Sequence, residues 1–258
     1  MNRLIERESL FMCVGLLALA AASHAAFSIP PGTVLPVLLN STISSTKSKP
    51  GQIITARIMQ DVPLPDGSKI AAGATVLGHV VDVTPASNGR GASISLQFDT
   101  LNISRGKFPI VTNLRAIASF MEVEQAQIPP SGPDRGTSSY SWTTVQIGGD
   151  TVYRGGGPVK EGSAVVGQPA YGGVLARMSP NPDRGCRGAI GENDAPQALW
   201  VFSSGACGAY SLSNVEIVHA GRTAPIGRII LQSRKGELKI GGGSGLLLRV
   251  IAPDAGGI

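Results

Sequence analysis

Short apolar runs punctuated by Gly and Pro turns constrain this chain more than any other feature, and residues 29–83 show the pattern most clearly. The stretch IPPGTVLPVLLNSTISSTKSKPGQIITARIMQDVPLPDGSKIAAGATVLGHVVDV reads as strand-length segments that reverse at glycine and proline, the founding sheet of an all-β module. Pro65, Asp66 and Gly67 supply a preset φ, a side chain that caps the turn and a permissive backbone. An antiparallel pairing is expected across them. In Thr75 to Val83, Leu77, His79, Val81 and Val83 share one face while Val76, Gly78, Val80 and Asp82 share the other. Both faces are largely apolar, which suits a strand inside a barrel or sandwich.

The segments GTVLPVLL, PGQIITARI and IAAGATVLGHV, with the small polar linker and turn between them, resemble the C-terminal β-barrel domain of the channel-scaffold component of type IV secretion and conjugation machines. The resemblance covers about residues 30–83. It rests on a Gly-Thr strand entry, a Pro-Gly turn and a turn before a glycine-containing strand; here Ala72 precedes Gly73, where that family usually carries Gln after Pro. It implies a β-barrel-like fold in the cell envelope.

At the N-terminus, Arg3 and Arg7 precede an apolar run from Leu10 to Ala22, followed by small residues at Ser23 and Ala25. This reads as a signal peptide over residues 1–25, with cleavage after Ala25; an uncleaved anchor is the other reading. The run is shorter than the roughly 20 residues a membrane span needs, so no transmembrane span is expected in the mature chain. Export places the protein in the periplasm or outside the cell. The remainder of the chain is long enough to bury a core without a cofactor.

Cleavage leaves two cysteines, Cys186 and Cys207. In an oxidising compartment they most simply form one disulfide; a pair of metal ligands is the other reading, with no His or further Cys near either. The formal charge of +5 is spread unevenly. Residues 26–120 hold eight Lys and Arg against four Asp and Glu, residues 121–195 six against eight, and residues 196–258 six against three. The cations stand singly along the sequence, with no basic run and no interleaved aromatics. That pattern, with export, argues against nucleic acid.

After residue 92 the alternation is regular: Ile94, Leu96 and Phe98 face one way and Ser93, Ser95 and Gln97 the other. FPIVTNLRAIASF follows as a further strand pair or a bulged strand. Residues 26–120 therefore form an N-terminal β module. From Met121 to Ala195 the composition turns rich in Gly, Pro and Ser, and the tetrapeptide PDRG occurs at 133–136 and again at 182–185. This region reads as a loop-dominated insertion, too long for a plain linker, and packed on the module. Residues 196–258 return to strands, with a hairpin turn at Arg234, Lys235 and Gly236. GSGLLLRVIAP near the end echoes PGTVLPVLL near the start, and a pairing of the two would complete the first module. The fold class is thus all-β, an antiparallel barrel or sandwich with a Gly/Pro-rich insertion.

Every Tyr and Trp lies after residue 139. Tyr140, Trp142, Tyr153 and Tyr171 are the candidate binding residues, because a flat apolar ring with a polar edge suits a sugar or a protein partner; covering a thin core is the plainer role for the same residues. No residues are assigned to catalysis. After residue 25, His79 and His219 stand at alternating positions in apolar segments, Glu122 with Glu124 and Glu192 with Asp194 are the only close acid pairs, and neither GxSxG nor HExxH occurs. No metal and no cofactor are expected. The function read from the sequence is an exported, non-catalytic envelope protein that scaffolds or binds envelope proteins or its own copies. A cell-wall or extracellular glycan-binding module is the alternative, and an envelope hydrolase the third reading.

Overall fold

The run LLLRV is apolar at nearly every position, and such a run has to be covered on both faces. It becomes the C-terminal strand β20 (Gly245–Val250), all six residues of which are buried. β20 lies antiparallel between β1 (Val34–Leu39) and β9 (Thr112–Ala118), pairing Val37 with Leu246 and Ala116 with Leu247. The computed structural model describes residues 28–128, 143–153, 156–179, 186 and 195–253. The expected signal peptide, Cys13 and both PDRG stretches lie outside these residues.

These three strands form part of a ten-stranded sheet. On the β1 side follow β3 (Ile53–Ile58), β6 (Thr75–Thr84) and β7 (Ser93–Ile103), all antiparallel. The long β7 then pairs with β8 (Gly106–Pro109) at one end and β18 (Ile229–Ser233) at the other, and β18 carries β17 (Val215–Ile217). On the far side, β16 (Gly208–Tyr210) runs parallel to β9, the exception to the antiparallel expectation. Two small ladders complete this part: β2 (Ile43–Ser44) with β19 (Lys239–Ile240), and β4 (Val62–Pro63) with β5 (Lys69–Ile70). The second is the reversal expected at Pro65-Asp66-Gly67, where Asp66 Oδ1 accepts hydrogen bonds from the Ser68 N–H and hydroxyl.

Inward residues of nearly every strand in the large sheet meet in one core, including Leu35, Ile54, Val76, Val80, Phe98 and Leu248. The sheet therefore curls round its own apolar face. No pair joins its end strands β16 and β17 among the described residues, so the fold is sandwich-like and not a closed barrel.

A second layer supplies the other half of the sandwich. Helix α1 (Phe120–Gln127) precedes a six-stranded antiparallel sheet of β10 (Thr143–Val145), β11 (Thr151–Tyr153), β12 (Val159–Glu161), β13 (Ala164–Ala170), β14 (Gly173–Ala176) and β15 (Gln197–Ala198). Val123 and Ala126 of α1, Val152, Val159 and Val174 of this sheet, and Leu199 to Phe202 after it form a second core with Val34, Ala116 and Leu247. These last three project from the backs of β1, β9 and β20, which explains why those strands are buried on both sides. Where described, the region expected to be loop-dominated carries short strands separated by turns and loops. Most of its strands have two to four residues, too few for a two-residue period to show, and positive-φ glycines at 148, 149, 156 and 162 interrupt them.

Two local expectations change. Arg234-Lys235-Gly236 turns the chain between β18 and β19, yet these strands do not pair with each other; β19 crosses to β2. The expected loop-dominated region instead opens with helix α1. Its N-cap is Ser119, whose hydroxyl accepts from the Glu122 N–H, the Ser-x-x-Glu signature of a helix start.

Candidate binding surface

The second layer is fixed to the large sheet by buried polar side chains that hold one loop, residues 199–206. Gln60, at the end of β3, has its amide Nε2 donating to the Val174 carbonyl at 2.9 Å and its Oε1 accepting from the Trp200 N–H at 2.7 Å. Trp200 is buried with φ 52°, a left-handed conformation that costs a bulky residue about 1–2 kcal/mol. Gln60 directs that backbone into place. Gln146 donates its amide hydrogens to the carbonyls of Trp200 and Val201, and Asp150 Oδ2 accepts from the Ser204 N–H at 2.7 Å. Arg115, buried on the back of β9, donates from Nε to the Ala206 carbonyl at 3.0 Å and from Nη2 to the Ser179 carbonyl at 2.7 Å. A buried guanidinium is costly to desolvate, and these carbonyl contacts offset part of that cost.

Cys186 and Cys207 stand at disulfide distance, with Cα atoms 5.7 Å apart and a sequence separation of 21. Gly221, at φ 69°, passes directly against both sulfurs. The Cys207 N–H donates to the Tyr210 hydroxyl at 2.9 Å. The pair therefore ties the start of β16 to the connection between β14 and β15.

Exposed apolar side chains are concentrated on this layer. Among the described residues eight large hydrophobic side chains are exposed, and six belong to α1 or the second sheet: Phe120, Met121, Ile128, Val145, Val165 and Tyr171. Pairing places Val145, Thr151, Lys160 and Val165 in one row across β10 to β13, all facing away from the buried Val152 and Val159. Tyr153 lies beside this row, with the Lys160 ammonium 5.7 Å from its ring centre, within reach of a cation–π attraction. Tyr171 occupies the two-residue turn between β13 and β14 and is 93 % exposed. Its neighbour Gly172, at φ 80°, approaches the Met59 carbonyl, which seats the turn against the end of β3. At the border between this layer and the large sheet, Pro30, Pro63, Leu64, Pro65 and Pro196 line a cleft of about 470 Å³.

No family model and no curated protein matches this chain.

Of the sequence-predicted binding residues, Tyr153 and Tyr171 lie on this layer, Tyr153 half-buried and Tyr171 at a projecting tip; Tyr140 and Trp142 lie outside the described residues. The exposed aliphatic residues of α1 and β13 were not singled out from sequence, because an isolated Val or Met in a Gly-rich region gives no periodic signal. The residues weighed for catalysis are dispersed. His79, half-exposed on the outer face of β6, has Nδ1 3.0 Å from Asp99 Oδ2, while His219 follows β17. Glu122 accepts a hydrogen bond from the Ser211 hydroxyl, and Glu192 and Asp194 lie outside the described residues. Among the described residues no three His, Cys, Asp or Glu side chains gather as metal ligands, and no helix is long and apolar enough to cross a membrane.

Proposed function

We propose that this chain is an exported, non-catalytic envelope protein that acts as a structural or protein-interaction scaffold, and that it docks its partners on the outer surface of the second layer. One observation carries the reading: exposed large hydrophobic side chains concentrate on α1 and the second sheet, with Val165 65 % and Met121 60 % exposed. Clustered exposed apolar area rimmed by polar groups is the mark of an interaction site. The polar staples at Gln60, Gln146 and Arg115 favour the same reading, because they hold the presenting layer rigid and a preorganised surface loses less entropy on binding. The resemblance of residues 30–83 to the type IV channel-scaffold barrel agrees with an envelope scaffold.

Glycan binding is the second reading, favoured by the projecting ring of Tyr171 and by Tyr153 with its neighbouring threonines. Capture from envelope extract with the mature protein as bait, run beside sedimentation with purified cell wall, separates the two. The scaffold reading expects discrete partner proteins that are lost with Val165→Lys and Met121→Lys. Retention on cell wall that is lost only with Tyr153→Ala and Tyr171→Ala would replace it with the glycan reading.

A further inference from the structure

The second layer covers the backs of β1, β9 and β20 and leaves the outer face of β3, β6, β7 and β8 open. On that open face the strand registers align four residues into one row: Arg57 opposite Thr75, Thr75 opposite Asn102, and Asn102 opposite Lys107. Directly opposed residues share a face of the sheet, and the flanking Ala56, Val76 and Leu101 are buried in the core, so the row points outward. Three strand spacings of about 4.8 Å separate its ends by about 14 Å. At the same end of the sheet, the turns before β6 and after β7 rim a cavity of about 500 Å³. Thr75 and Asn102 form part of its wall, and Lys69, Ser104 and Arg105 bring further donors to its edge.

The charge there is positive. Arg57, Lys69, Arg105 and Lys107 face two carboxylates, Asp61 and Asp66. The oxygens of Asp61 are engaged by Lys69 Nζ at 2.5 Å and the Ala72 N–H at 2.8 Å, while Asp66 is held by Ser68 and lies in the field of Arg105. Both carboxyls are held below the usual carboxylate range, chiefly by these hydrogen bonds. Two cations remain in excess, and among the described residues neither Arg57 nor Lys107 makes an ion pair. Hydroxyl and amide donors between two separated cations match the oxyanions of phosphate, with the planar guanidinium suited to bidentate contact.

We propose that this row and its adjoining cavity form a binding site for ligands that carry two or more phosphate groups. A single phosphate cannot reach both ends of the row; a phosphate chain or an array of phospholipid headgroups can. The site stands apart from the second-layer surface and does not depend on it.

The test titrates the mature protein with inorganic polyphosphate and, separately, with phosphatidylcholine vesicles with and without phosphatidylglycerol. The site predicts binding to polyphosphate or to the phosphatidylglycerol vesicles that weakens with salt. Removing a cation at such a surface weakens binding about fivefold, so R57A/K107A loses about 25-fold. K235A/K239A, an equal charge change at exposed residues elsewhere, keeps wild-type affinity. Both doubles keep the wild-type melting temperature, since all four side chains are exposed. Binding confined to vesicles makes the ligand a headgroup, and binding confined to polyphosphate makes it a soluble phosphate chain; either supports the site. Absence of wild-type binding to both at about 0.1 M salt, or equal losses in the two doubles, overturns it.

Discussion

Replacing Gln60 with Leu removes the side chain that joins the two layers and leaves its surroundings otherwise unchanged in size. Gln60 is 1 % exposed, so no bulk water takes over its bonds. The Trp200 N–H loses its acceptor and becomes a buried orphan, at about 1–3 kcal/mol. The Val174 carbonyl loses one bond but keeps that from the Leu199 N–H, at about 0.5–1.5 kcal/mol. Together these give a loss of about 1.5–4.5 kcal/mol. At about 2–4 °C per kcal/mol for a chain of this size, a 3 kcal/mol loss lowers the melting temperature by about 6–12 °C. The assay is thermal unfolding combined with amide exchange. The Trp200 and β14 amides should lose protection while those of β7 retain it, because the damage lies at the interlayer contact. Gln60→Glu adds a check of sign: the introduced carboxylate can accept from Trp200 but repels the Val174 carbonyl until it is protonated, so this variant should gain stability relative to wild type as pH falls. A loss below about 1 kcal/mol in Gln60→Leu, with Trp200 protection intact, would refute the view that this side chain fastens the second layer.

Two further outcomes follow from local geometry. Substituting Cys186 and Cys207 together by Ala removes a closure of 21 residues and should cost about 3 kcal/mol in denaturant unfolding under oxidising conditions, with no difference from wild type after reduction. Hydrogen bonds from Lys69 and the Ala72 N–H hold the Asp61 carboxyl below the usual carboxylate range, so its contribution is present above that range and is lost as pH falls through the lowered folded value. Asp61→Asn should therefore flatten the acid side of the stability profile below about pH 4, by less than about 1 kcal/mol because the Asp61–Lys69 pair is solvent-exposed.

The large sheet was legible where local chemistry and tertiary pairing agree. SISLQF alternates because one face of β7 meets the core, Pro65-Asp66-Gly67 turns because each residue favours it, and the apolar runs at the two ends of the chain are alike because β1 and β20 are neighbours covered on both sides. The second layer was not legible as a sheet. Its short strands carry no readable period, and they are ordered by distant partners: Gln60 reaches residues 114 and 140 positions away in sequence. The Ser119 and Glu122 pair that starts α1 is a short signal, and the strand-like run before it masks an eight-residue helix. The late aromatics divide between the two roles open to them, with Trp200 in the core and Tyr171 projecting. Arg57, Lys69, Arg105 and Lys107 look scattered along the chain, and only the registers of β3, β6, β7 and β8 bring them to one end of the sheet.

The most direct test of the proposed scaffold role places a photo-crosslinking amino acid at single positions of the protein in its native cells. Positions Met121, Val165 and Tyr171 sample the second-layer surface, and Ile53 and Ile226, equally apolar and exposed on the large sheet and its connections, serve as controls. The account predicts discrete protein adducts from the first three and none from the controls. Absence of adducts from all five, or the same adducts from both groups, would contradict it.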